Sequence, residues 1–191
     1  FTIAETNGST GVTEAGSTDI FTVVLNAQPT TDVVVQFVSA DTGEVTVTSL
    51  LTFTSANWDT AQTVTVTGVD EDFVDQDQTT IITASILDVS SDDNFDAVAD
   101  QTVSVTTTDD DVAGFTIAET EGSTGVDESG STDLFTVVLN AQPTTDVVLS
   151  ISSADTGEAT VTSSLTFTAA NWDTAQTAVS YTHLTLPTTL T

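Results

Sequence analysis

Residues 1–63 recur at residues 115–177, and 52 of the 63 aligned positions are identical at an offset of 114. A period of that length is a whole domain, because one β-sandwich takes roughly 100 residues whereas solenoid repeats run about 20–45. The repeated blocks FTVVLNAQPTTDVV, SADTGE, LTFT and ANWDTAQT are rich in branched and aromatic residues and are punctuated by turn formers. That is the pattern of short, half-buried strands. The first copy is expected to hold seven of them. They lie near residues 1–6 with a continuation toward Val12, then 20–26, 33–39, 45–54 in two short pieces, 62–69, 79–87 and 101–107. Seven strands so spaced predict an all-β chain of tandem Greek-key β-sandwich repeats, immunoglobulin-like in type.

The second copy stops short. Residues 64–69 read VTVTGV, but the aligned 178–183 read AVSYTH. The expected organisation is a complete sandwich over 1–111, a linker at 112–114, and a truncated repeat over 115–178 that lacks the last two strands. The final stretch, 179–191, reads as a non-native tail. Its VSYTHLTLPT at 179–188 resembles a translated sequencing adapter, which implies no function for His183. Without a Met anywhere, the chain reads as an internal piece of a longer protein.

Charge narrows the function classes. There are 29 Asp and Glu, no Lys, no Arg, and a formal net charge of −29. Nucleic-acid binding requires cations that displace counterions from phosphates, and a polybasic contact with an anionic membrane surface fails likewise. Hydrophobic residues at 38% and a mean hydropathy of +0.14 argue for a folded chain rather than a disordered acidic tail. No apolar run approaches the roughly 20 residues of a membrane span, so no membrane insertion is expected in this segment. Cys is absent, which removes disulfides and thiolate metal sites. No enzyme is expected, because neither repeat holds a His, Lys or Cys to activate a Ser or Thr nucleophile.

In an antiparallel sandwich the connecting loops alternate between the two ends. One end should then gather Glu14, the loop with Asp41 and Glu44, the run Asp70, Glu71, Asp72, Asp75 and Asp77, and the exit triplet Asp109, Asp110 and Asp111. The opposite end should hold Asp32, Asp59 and the loop with Asp92, Asp93, Asp96 and Asp100. Two carboxylates about 5 Å apart repel by about 3 kcal/mol at an effective dielectric near 20. With no basic side chain to neutralise them, converging acids must splay, hold protons or bind a metal. An oxygen-only donor set suits Ca²⁺ better than Mg²⁺ or Zn²⁺. Asp19, Asp32 and Asp59 recur as Asp133, Asp146 and Asp173 and are read as turn formers, and Trp58 and Trp172 as packing residues.

The segments VDEDFVD at 69–75, TDDDVAG at 108–114 and VTEAG at 12–16 resemble the Calx-β domain, whose repeats also occur in large bacterial surface and adhesin proteins. The resemblance implies Glu14, Asp70, Glu71, Asp75, Asp109, Asp110 and Asp111 as side-chain calcium ligands, with Phe73 offering its carbonyl. It leaves Asp41 and the number of ions open, since the SADTGE connection is short and Gln78 stands where the family has a second Glu. The implied function is a calcium-binding stiff spacer of an extracellular or cell-surface adhesin-like protein, partnered by calcium ions and neighbouring repeats. The alternative is an adhesion module that binds a cell-surface ligand or carbohydrate. Repeat 2 keeps Glu128 and Asp155 but lacks the acidic loop and the triplet, so it is not expected to bind calcium.

Overall fold

The computed structural model describes residues 1–182. By internal packing the chain divides into two units, residues 1–71 with 75–110, and residues 72–74 with 111 onward.

The first unit contains nine strands: β1 (Thr2–Glu5), β2 (Thr10–Thr13), β3 (Thr18–Val24), β4 (Val33–Ser39), β5 (Val45–Val47), β6 (Leu50–Phe53), β7 (Gln62–Gly68), β8 (Gln78–Ile86) and β9 (Gln101–Thr108). They form two sheets, ordered β1-β3-β7-β5 and β2-β9-β8-β4-β6. This is an immunoglobulin-like sandwich. Alternation at period two sets what is buried. Val33, Val35 and Phe37 of β4 point inward, as do Val64 and Val66 of β7 and Ile82, Ala84 and Ile86 of β8. Between the sheets, the Phe21 and Phe37 rings meet edge-on with centroids 5.9 Å apart, a favoured aromatic geometry. Trp58 packs against this core, as a packing residue should.

One pairing departs from the antiparallel scheme. The first strand breaks at residues 6–8, and its continuation β2 crosses to the other sheet, where it runs parallel to β9, Thr10 opposite Val105 and Thr13 opposite Thr108. The repeated Asp19 behaves as a local brace, accepting from the Gly11 amide at 3.0 Å and the Ile20 amide at 2.7 Å.

The second unit contains β10 (Phe115–Glu119), β11 (Thr132–Leu139), β12 (Val147–Ser150), β13 (Thr160–Val161), β14 (Ser164–Phe167) and β15 (Gln176–Tyr181). One sheet, β10-β11-β15-β13, has the same order as β1-β3-β7-β5; the other is only β12-β14. Its core is correspondingly smaller, built on Val137, Leu139, Leu165, Phe167 and Ala178, with Trp172 packed against it. Residues 179–181 of the expected tail complete β15, pairing with Thr132–Leu134 of β11. His183 and the rest of the tail lie outside the described residues.

Candidate metal centre

Glu14 follows β2 directly, and its amide donates to the Thr108 carbonyl at 3.2 Å. The parallel β2–β9 pairing therefore carries Glu14 to the end of β9, one residue before Asp109. The Thr13 amide donates to Ser17 Oγ at 2.7 Å, which closes the turn below it. The loop between β7 and β8 is held to the same place, because the Gln76 amide donates to Asp109 Oδ2 at 2.7 Å. The Asp109 amide donates in return to Asp77 Oδ1 at 3.3 Å. Gln78 Nε2 donates to Asp75 Oδ2 at 2.8 Å and to the Asp75 carbonyl at 3.0 Å, orienting that carboxylate.

The outcome is a cluster in which Glu14, Glu71 and Asp75 each present a carboxylate oxygen within 4.8 Å of the others. Glu14 is 0% exposed, and neither of its oxygens makes a hydrogen bond of normal geometry. Burial pushes its carboxyl up to about 7. The charge of Asp109 adds to this, the Asp110 backbone amide opposes it, and Glu71 and Asp75 add further. A charged group in such a place requires a partner of opposite sign, and the sequence contains no basic side chain to provide one.

Glu44 joins the same end although the sequence pattern did not single it out as a ligand. It is 9% exposed, and its pKa is raised, first by burial and then by Asp75, Asp41 and Asp109, with the Thr107 hydroxyl acting the other way. Its carbonyl accepts from the Val69 amide at 2.9 Å, so β7 anchors the loop just where the acidic run begins. Asp41, by contrast, is exposed and turns its Oδ1 to the Gly43 amide at 2.9 Å, the arrangement of an Asx turn.

Within the first unit, the expected ligands Glu14, Glu71, Asp75 and Asp109 thus come together. Asp70 and Asp110 are exposed, and Phe73 and Asp111 are half-buried and fall among the second unit's residues. The donor set of the first unit is all oxygen, which fits a hard cation such as Ca²⁺. In unit two, residues 124–127 form no strand and Glu128 is exposed; the strand that holds β2 in place has no counterpart among the described residues.

The acidic loop at the other end has a different character. Asp92 is buried, yet it accepts from the Thr30 amide at 2.6 Å, Thr30 Oγ1 at 2.7 Å, the Thr31 amide at 3.1 Å, and the Asn94 amide and Nδ2 at 3.0 and 2.6 Å. These donors hold its carboxyl well below the usual range, the Thr30 hydroxyl contributing most. It is a clasp across the β3–β4 connection, with its charge already satisfied.

No family model and no curated protein match the chain. Solved structures resemble it at low identity. The CBD12 region of CALX1.2 is 16% identical, with 94% of this chain and 75% of that chain covered and a TM-score of 0.41. The D0-D1 domain of intimin is 15% identical over 96% and 85%, with a TM-score of 0.38. The YadV chaperone is 8% identical over 93% and 83%, with a TM-score of 0.43. Similarity this slight carries no functional argument.

Proposed function

We propose that the first unit is a calcium-binding structural repeat, a stiff spacer within a larger extracellular or cell-surface protein of adhesin type. The observation that carries this reading is Glu14, fully buried with neither oxygen in a hydrogen bond of normal geometry and grouped with Glu71 and Asp75 in a chain devoid of Lys and Arg. Glu14, Glu71, Asp75 and Asp109 are the residues that would hold the ion, and Glu44 adds negative charge beside them. A bound Ca²⁺ supplies the positive charge that the fold lacks and lets these carboxylates stay ionised. It would also hold the exit of β9 to the β7–β8 loop, which stiffens that end of the repeat.

The test is thermal unfolding in calcium and in chelator. A site with Kd near 10⁻⁴ M, typical of extracellular modules, gains about 2.7 kcal/mol at about 10 mM free calcium. The unfolding midpoint is expected to rise in calcium and to rise far less in equimolar magnesium. Identical midpoints in calcium and chelator would sink the proposal.

A further inference from the structure

The chain has six Asn residues, and five of them are tied down. Asn26, Asn57, Asn94, Asn140 and Asn171 each hold the side-chain amide in a hydrogen bond of 2.6–2.9 Å. Asn7 makes none among the described residues. It is exposed, and of the six it alone is followed by a glycine.

Asn7 occupies the break between β1 and β2. Its backbone is left-handed, with φ 56° and ψ 10°, a region that Asn tolerates, and Gly8 follows at φ 83°. The turn is three exposed residues long. Across it the Ser9 amide donates to the Thr6 carbonyl at 3.4 Å, a long bond. A β-carbon on Gly8 would meet nothing within 4 Å, so nothing shields the peptide between the two residues. Short exposed turns with few contacts open at little cost.

We propose that Asn7–Gly8 is a self-modification site, at which the folded chain converts Asn7 to aspartate and isoaspartate. The Gly8 amide nitrogen attacks Asn7 Cγ and forms an N–Cγ bond while the Cγ–Nδ2 bond breaks. Nδ2 leaves as ammonia, carrying the amide proton. One water then opens the resulting cyclic imide. Cleavage of the N–Cγ bond gives Asp; cleavage between that nitrogen and the main-chain carbonyl carbon of residue 7 gives isoaspartate. Ring closure requires rotation away from ψ 10°, and the absent side chain of Gly8 leaves that rotation unhindered.

The two products differ in consequence. The second copy holds Glu121 at this position with φ 55° and ψ 15°, so an ordinary acid fits the turn. Isoaspartate instead inserts one extra atom in the main chain just before β2, whose Thr10 must lie opposite Val105, and it loosens that pairing.

The test ages the full chain at mildly alkaline pH, cuts it after Glu5 and Glu14, and follows the mass of the 6–14 peptide. That peptide is expected to gain the mass of an amide-to-acid conversion about tenfold faster, or more, than peptides holding the other Asn residues. The rate should rise with pH as the attacking nitrogen loses its proton, and Gly8→Ala should slow it several-fold. Asn7→Glu, which takes the residue of the second copy, should abolish conversion and keep hydrogen exchange slow at Thr10–Thr13, whereas the isoaspartyl chain should exchange faster there. Conversion no faster than at Asn26 and Asn140, conversion only after urea unfolds the chain, or an unchanged rate in Gly8→Ala would overturn the proposal. So would exchange at Thr10–Thr13 as slow in the isoaspartyl chain as in the fresh one.

Discussion

Gly68, the last residue of β7, lies so close to Thr13 that a β-carbon on it would overlap the Thr13 carbonyl oxygen. Thr13 immediately precedes Glu14, so this contact sets how deeply the central carboxylate is placed. Gly68→Ala must push β2 away from β7, and overpacking of this kind costs about 1–3 kcal/mol. Urea unfolding of the variant should show that loss. Calcium titration should show a weaker site as well, because the displaced segment carries Glu14. Unchanged calcium affinity beside a clear stability loss would mean that Glu14 is positioned by β9 alone.

Glu14→Gln should separate stability from metal binding. In chelator at pH 8 the wild type holds an ionised carboxylate in a buried site beside Asp109, and the amide removes that charge at nearly constant shape. The variant should therefore melt higher than wild type in chelator and gain little or nothing from calcium. Each kcal/mol corresponds to roughly 4–8 °C for a domain of this size. The pH dependence follows from the raised carboxyl. Folding favours its protonated form, so that contribution is complete below the ordinary value of 4.5 and is lost as pH rises through about 7. Calcium-free wild type should weaken across that window, and Glu14→Gln should lose this part of the slope.

Period-two alternation makes β4 legible to the residue, since VVVQFVS carries its apolar side chains on one face. The convergence of Glu14, Glu71, Asp75 and Asp109 is legible too, because loop parity depends only on the number of strands. Two features escape that reasoning. Loop parity brings Glu44 to the acidic end but does not give its burial, which comes from β5 starting at Val45 and pairing with Gly68, a tertiary relationship. Asp92 sits in a run of acids that suggests a cation, but its partners include amide and hydroxyl donors 61 and 62 residues away. Acid density along a chain does not distinguish those two fates; the donors that meet each carboxylate do.

The second unit should be the softer of the two. Local opening requires less free energy where fewer apolar contacts and ladder bonds must break, and β12 pairs with β14 alone among the described residues whereas β4 pairs with both β6 and β8. Native-state hydrogen exchange should find Val147–Ser150 exchanging faster than Val33–Ser39 by about two orders of magnitude, equivalent to about 2.7 kcal/mol. Equal rates would mean that the two-stranded sheet is covered in solution.

Asp92 gives a pH response opposite in sign to that of Glu14. Its folded-state pKa is lowered from 3.8 by the hydrogen bonds from Thr30, Asn94 and Thr31, so its stabilisation is fully present above pH 3.8. The contribution is lost only as pH falls through the lower folded value. Asp92→Ala removes the acceptor and leaves the Thr30 and Thr31 amides without it, which must destabilise the first unit. Urea melts of wild type and variant should therefore differ by a constant amount between pH 5 and 8, and the gap should close as the solution is acidified below 3.8. A gap that instead stayed constant below pH 3.8 would show that the clasp acts through its shape and not through its charge.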